Sequence, residues 1–272
     1  MMFGMKRKIA AFCTGLLLPV LMGGALRAET GVAAIKQKGT LVVGTATGYY
    51  PFEMVDKQNV LVGFDIDVAK AIAKDLGVKL EWQNYAFSGL IPAMQSKKVD
   101  LVIAGMTGTD KRKEVVDFTV PYFTSGQALL VNKNVPNIKK WQDLDKKGWV
   151  IAVSQGTTAD TTATKMFKNA TVKKFDGSAL AGLELLNGHA QAVIHEVPWV
   201  AIYQRMNPTQ TYAVLEPFTT ELLSVAVPKG NPQLVDHLNG FLAKYVKSSE
   251  YAKTYKYWFV TMDWWNGVPL KK

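Results

Sequence analysis

The chain repeats itself, and that repetition limits the folds open to it more than any single motif. Gln95-Ser-Lys-Lys-Val-Asp-Leu-Val-Ile103 reads as a helix end, a turn and a short buried strand. Asn187-Gly-His-Ala-Gln-Ala-Val-Ile194 runs through the same order in the second half. The first copy is preceded by a strand at Thr40–Thr45 and a helix at Asp65–Gly77. That helix carries Val68, Ala69, Ile72, Ala73 and Leu76 on one face, has acids at its start and is stopped by Gly77. A strand at Lys79–Gln83, a helix from Ser88 past Met94 and a strand at Leu101–Ala104 complete it. The second copy has strands at Trp149–Val153, Val172–Phe175 and Ala192–Ile194. Its helices run from the loop at Ser154 to about Asn169 and over Ser178–Leu186, the latter with Ala179, Leu183 and Leu186 on one side. Each half is β-α-β-α-β, the pattern of a mostly parallel sheet with helices on its faces. Strands near Tyr212–Leu215 and Leu222–Val227 follow, then a helical region from about Gln233 to Trp258 that breaks near Ser248-Ser249. Two similar α/β lobes predict a ligand cleft between them, at the carboxyl ends of the strands.

Those strand ends are Thr45-Ala46, Gly105-Met-Thr107, Ser154-Gln-Gly-Thr157 and His195-Glu196. The run Asp100-Leu-Val-Ile-Ala-Gly-Met-Thr-Gly-Thr-Asp-Lys-Arg112 is the most informative. A buried strand enters a turn, Thr109 is placed as an N-cap, and Asp110 opens a helix. Backbone N–H groups, hydroxyls and a guanidinium then lie close together, which suits an anion, and Arg112 can grip a carboxylate with two parallel hydrogen bonds. The same residues are equally compatible with an ordinary strand–loop–helix join that leaves Arg112 solvated.

The N-terminal residues stand apart. Lys6-Arg-Lys8 precede an apolar run from Ile9 to Leu26, broken by Pro19 and Gly23-Gly24 and followed by Ala28. This is the layout of a secretory signal over residues 1–28, cleaved after Ala28 or Ala25; a retained membrane anchor is the other reading. The single cysteine, Cys13, lies inside this segment, so the processed chain is expected to have no disulfide and to rely on its core. Processing removes Lys6, Arg7, Lys8 and Arg27 and no acid, leaving +6 of the formal +10. The remaining lysines are scattered in pairs without interleaved aromatics, so no nucleic-acid partner is expected. No later apolar run reaches membrane-spanning length, which predicts a soluble processed protein. His189, His195 and His237 are far apart and not spaced as metal ligands, so no metal is expected, and no cofactor either.

Gly63-Phe-Asp-Ile-Asp67, Phe87-Ser-Gly-Leu-Ile-Pro-Ala93, Val99-Asp-Leu-Val-Ile-Ala-Gly-Met-Thr-Gly-Thr-Asp-Lys-Arg112 and Asp117-Phe-Thr resemble a known family. It is the periplasmic amino-acid-binding proteins of ABC importers, the family 3 bacterial extracellular solute-binding proteins. The pattern is most similar to that of glutamine-binding proteins, and the resemblance runs from about Gly39 to Phe259. It implies an α/β, two-lobed periplasmic-binding-protein fold (type II). Lobe I comprises residues 29–124 and 222–272, lobe II residues 125–221, with hinges near Phe123–Gln127 and Thr220–Ser224. By the same resemblance Arg112 and Thr107 take the ligand's α-carboxylate, and Gln155-Gly-Thr157 adds N–H groups. Glu196 and the Gly105 carbonyl take the α-ammonium, and Tyr49 and Phe87 sandwich the side chain, although core packing is the commoner use of such aromatics. A periplasmic monomer is implied, which closes on a free amino acid and docks on an inner-membrane permease with its ATPase subunit.

Two positions depart from the family pattern. Ala46 stands where an aspartate is usual, and Ser154 where glutamine binders have a lysine, while His195 remains as a polar pocket residue. The expected ligand is therefore polar and uncharged, glutamine-like. Glu196 replaces the usual aspartate, which raises a rival: an enzyme on the same fold, similar to cyclohexadienyl or arogenate dehydratases, with Glu196 as general acid. The loop Ser154-Gln-Gly-Thr-Thr158 does not resemble that of the dehydratases, so no catalytic residue is assigned.

Overall fold

The computed structural model describes residue 1 and residues 31–267. The expected signal segment, with Cys13, Ala25 and Ala28, lies outside the described residues. The first half contains α1 (Val32–Lys38), β1 (Thr40–Thr45), β2 (Met54–Val55), β3 (Leu61–Val62), α2 (Phe64–Leu76) and β4 (Lys79–Asn84). It continues through α3 (Leu90–Gln95), β5 (Leu101–Val102), α4 (Asp110–Lys113) and β6 (Val116–Ser125). The second half contains β7 (Gln127–Asn132), β8 (Val150–Ser154), α5 (Thr158–Met166), β9 (Thr171–Phe175), α6 (Ser178–Leu186), β10 (Ala192–Glu196), α7 (Val197–Met206) and β11 (Thr211–Val214). The chain ends through β12 (Glu221–Pro228), α8 (Pro232–Tyr245), α9 (Ser249–Tyr255) and α10 (Trp264–Gly267).

The repeat in the sequence is a repeat in topology. One sheet has the order β4-β1-β5-β12-β6 and the other β11-β7-β10-β8-β9. In each, three parallel strands are followed by two antiparallel ones. The chain crosses between the sheets at Ser125–Gln127 and returns between Val214 and Glu221. At the crossing β6 and β12 pair, Ser125 opposite Glu221 and Phe123 opposite Leu223. Their register slips around Ser224, which bends the ribbon there.

Helix α2 forms where the periodicity placed it. Val68, Ala69, Ile72 and Leu76 are buried, each large aliphatic contributing roughly 1.5–3 kcal/mol. Gly77 ends the helix in the left-handed conformation, donating to the carbonyls of Ala73 and Lys74. Thr109 caps α4 as expected, its hydroxyl accepting the Arg112 N–H at 3.3 Å. The long C-terminal helix breaks where expected: α8 ends at Tyr245, and the Ser248 hydroxyl accepts the Tyr251 N–H to start α9.

The expectation for α6 needs correction. Ala179 and Leu183 are exposed; the buried residues are Ala181, Gly182 and Leu185. A Cβ at Gly182 would stand 2.4 Å from the Tyr203 ring, so the small residues face α7 and admit Tyr203. Close approach outweighs the leucine pattern. The aromatic tail packs on the first sheet's side, where Trp258 donates from Nε1 to Asp67 (2.8 Å) and Phe259 meets Phe52, Phe64 and Phe123.

Asp65, read from sequence as a dipole-favouring acid, is fully buried. Its Oδ2 accepts the Gly105 N–H at 2.7 Å and the Tyr122 hydroxyl at 2.8 Å. Glu53 is buried against it. Glu53 Oε2 and Asp65 Oδ1 have no donor among the described residues, and a proton held between the carboxyls removes the conflict. Burial pushes Glu53 well above the carboxylate range and raises Asp65 from 3.8 to about 6, against the pull of the Gly105 and Tyr122 donors. A raised folded-state pKa means the folded chain holds a proton that the unfolded chain has released. Stability therefore falls as pH rises through about 6, by on the order of 3 kcal/mol in all. Thermal unfolding of the ligand-free protein between about pH 3.5 and about pH 6.5 should show this fall, and Asp65→Asn should reduce it. An unchanged slope in the variant would place the titrating group elsewhere.

Candidate functional site

The strand ends β1, β5, β8 and β10 converge on one cavity of about 300 Å³ between the two sheets. Ala46, Tyr49, Phe87, Gly105, Arg112, Thr157, His195 and Glu196 all line it, whereas Thr107 and Gln155 do not. The halves touch on both sides of the cavity. At one end Arg112 Nη2 donates to the Gly156 carbonyl (2.9 Å), and a Cβ at Gly156 would stand 3.2 Å from Ser88. At the other, Trp199 Nε1 donates to the Gly48 carbonyl (3.0 Å), and a Cβ at Gly48 would stand 3.8 Å from Ala179.

Arg112 reaches the cavity because α4 is a single turn that starts directly beyond β5. Nη1 donates to the Thr107 carbonyl at 2.7 Å, and the guanidinium lies 5.1 Å from the centre of the Phe87 ring. Two of its five N–H donors are thus used by carbonyls, and no carboxylate pairs with it among the described residues. Burial lowers its pKa to about 10, against the pull of Glu221 and Glu196, so it stays charged at neutral pH.

Glu196 is the last residue of β10 and precedes α7. It is buried, with Oε2 2.7 Å from His195 Nδ1 and Oε1 accepting from Gln127 Nε2 at 3.0 Å. Burial would raise its pKa, but the His195 charge and hydrogen bond together with Gln127 outweigh it and hold Glu196 below the usual carboxylate range. His195 is fixed by stacking on Trp199 at 4.5 Å, and Trp199 on Tyr203 at 4.4 Å. The other imidazole nitrogen, Nε2, lies 2.7 Å from the Ser178 hydroxyl. Both ring nitrogens are therefore occupied within the protein.

Gly105 is required where it stands. Its φ is +53°, and a Cβ there would lie 2.3 Å from the Tyr49 ring. Tyr49 is itself buried and its hydroxyl has no partner, although it lines the cavity.

Two sequence expectations shift. The Thr107 hydroxyl donates to Glu221 at 2.7 Å, so it faces the crossing strands and not the cavity. The N–H groups of the Gln155–Thr157 turn are used internally: Gln155 to the Phe175 carbonyl, Gly156 to Asp160, Thr157 to the Ser154 carbonyl. The turn's donors are satisfied by the end of β9, by Asp160 of α5 and by Ser154, and its Gly156 carbonyl accepts from Arg112 across the cleft. Glu196 is held ionised by His195, the state an ammonium partner needs and the opposite of what the rival general-acid reading requires.

Several residues at the site were missed. Gln127 and Glu221 sit on the crossing strands, where Gln127 bridges Glu196, Thr158 (3.0 Å) and Glu221 (3.4 Å); no local sequence signal marks such a pairing. Glu53 and Asp176 also line the cavity. Asp176 carries a readable signal, since it directly follows strand β9, another strand with its carboxyl end at the cleft.

The profile of the family described as bacterial extracellular solute-binding proteins, family 3, matches residues 41–261. A probable histidine-binding protein of Neisseria gonorrhoeae is 34% identical over 94% of this chain and 96% of its own length. ABC transporter arginine-binding protein 1 of Escherichia coli (strain K12) is 33% identical over 79% of this chain and 89% of its own. The solved structure of an ancestral amino-acid-binding protein, AncCDT-1, a precursor of cyclohexadienyl dehydratase, is 41% identical with a TM-score of 0.78, covering 84% of this chain and 99% of that one. With its fold, its cleft and these matches, the chain belongs to the family 3 bacterial extracellular solute-binding proteins.

Proposed function

We propose that this protein is the substrate-binding component of an ABC importer and takes one α-amino acid into the cavity between its sheets. One observation carries the reading. A charged Arg112 on one side and an ionised Glu196 on the other face the same closed cavity without pairing with each other. A zwitterion supplies the missing partner of each: its carboxylate to the free donors of Arg112, its ammonium to Glu196 and the Gly105 carbonyl. The unpartnered Tyr49 hydroxyl is a further buried group whose partner a ligand would provide. Phe87 and Tyr49 then flank the ligand's side chain.

In this reading residues 29–124 with 222–272 form one lobe and residues 125–221 the other. They open and close about Phe123–Gln127 and Thr220–Ser224. The closed form docks, as a monomer, on an inner-membrane permease whose ATPase subunit supplies the energy. Residues 1–28 direct the chain to the periplasm and are removed there. The ligand's side chain is polar. Ala46 and Ser154 bring no charge to the wall, so these two positions by themselves admit a glutamine-like side chain and do not fix its charge. The relatives named above are histidine- and arginine-binding proteins, so the choice rests on the distal end of the pocket. The dehydratase alternative needs a protonated Glu196, and His195 favours the opposite state.

Titration calorimetry on the processed, ligand-stripped protein should find saturable binding of at least one proteinogenic amino acid. Arg112→Ala should weaken it by about 100-fold or more, since an unpaired buried carboxylate costs ~2–5 kcal/mol. Retention of affinity within about tenfold would sink the carboxylate assignment. Glu196→Gln should weaken binding by a similar factor while leaving the deaminated ligand analogue less affected. Incubation with prephenate or arogenate should release no aromatic product; phenyl products that vanish with Glu196→Gln would establish the enzyme instead.

A further inference from the structure

We propose that Asp176 selects a ligand with a cationic side chain, as the counter-charge at the distal end of the pocket. This deepens the amino-acid reading above and rests on it. The cavity has two distinguishable ends. Arg112, with its bond to the Gly156 carbonyl and the contact of Gly156 with Ser88, marks the end that takes the carboxylate. At the opposite end Thr47-Gly48 faces the turn Asp176-Gly177-Ser178 and the start of α6, where Gly48 approaches Ala179 and accepts from Trp199. A ligand held by its carboxylate at Arg112 points its side chain along the cavity toward Asp176.

The charges on the wall do not balance for a neutral side chain. Arg112 matches the ligand's carboxylate and Glu196 its ammonium. Glu53 is protonated by burial beside Asp65 and adds no charge. Asp176 is left over. Its carboxylate has no hydrogen bond or ion pair among the described residues, in contrast to the nearby Lys174, whose ammonium is committed to Asp160 at 2.8 Å. The polar groups around it make no competing cation. Asn84 is tied to Thr47 through its amide and its carbonyl (both 3.1 Å), and Ser178 is tied to His195. The wall at Ala46 is apolar and small, which leaves length for an extended side chain. Asp176 thus takes from the second sheet the position of counter-charge that Ala46 does not supply from the first.

The test compares L-arginine with L-citrulline, which has nearly the same shape and no side-chain charge. Wild-type protein should bind arginine tighter by about tenfold or more, a preference that shrinks as salt is raised because Asp176 is exposed at the mouth. In Asp176→Asn the ratio should fall to within about threefold. The substitution removes no internal bond, so the ligand-free melting temperature should match wild type and certify folding. Citrulline binding as tightly as arginine to wild type, or a preference that survives in Asp176→Asn, overturns the inference. Arg112→Ala separates the two levels: it should weaken both ligands alike and leave their ratio intact. Binding of neither ligand, nor of any other amino acid, by wild type would remove the amino-acid reading and this inference with it.

Discussion

Two opposite charges, a half-buried guanidinium and a buried carboxylate, line one cavity and are kept from neutralising each other. Left free they would collapse into a salt bridge, because partial desolvation makes each the best partner of the other. The structure prevents this by occupying part of each with fixed dipoles. Arg112 is tied to the Thr107 and Gly156 carbonyls, and Glu196 to His195 and Gln127. Between them runs a chain of hydrogen bonds, Glu196 to Gln127 to Glu221 to Thr107, and Thr107 in turn accepts from Arg112. That chain lies across the strands that join the two sheets. The distance between the charges is therefore fixed by the joint itself.

The joint also explains why Gly105 and Asp65 matter. The Gly105 carbonyl can face the cavity only while its own N–H is held behind, and Asp65 holds it. The cost is a buried carboxyl beside another, which one shared proton relieves. Tyr122, from β6, donates to the same Asp65 oxygen, so the backing of the ligand site and the first crossing strand are one unit. Phe123 of that strand packs on Phe52, Phe64 and Phe259, which carries the unit into the C-terminal segment.

Much of this was legible in the sequence, and the boundary has a physical cause. Periodicity placed α2, a capping residue placed the start of α4, and the serine pair at 248–249 placed the break before α9, because these are local effects of a few neighbouring residues. The strand-end rule led to most of the residues that line the cavity. It failed for the Thr107 hydroxyl and the Gln155–Thr157 N–H groups because these donors are already taken within the protein, by Glu221 far along the chain and by Phe175, Asp160 and Ser154. Burial of α6 was misread because leucines outweighed Gly182 in the pattern, whereas Tyr203 needs the space only a glycine leaves. Asp65 was legible only as an acid at a helix start, because its burial depends on Gly105 and Tyr122, which lie far along the chain.

Charge counting then decides more than shape does. A cavity of about 300 Å³ with aromatic sides admits many amino acids, and apolar contact discriminates among them only weakly, by ~1–3 kcal/mol per methylene. An unmatched charge in a closing cleft discriminates far more strongly, since closure strips water from it whether or not a partner arrives. Asp176 is exposed at the mouth and would lose part of its water as a ligand's side chain filled the space beside it. A neutral side chain would leave its charge uncompensated, and a cationic one would turn the same desolvation into attraction. Selectivity and closure would then draw on a single interaction, with the ligand that completes the wall's charge also being the one that holds the two sheets together.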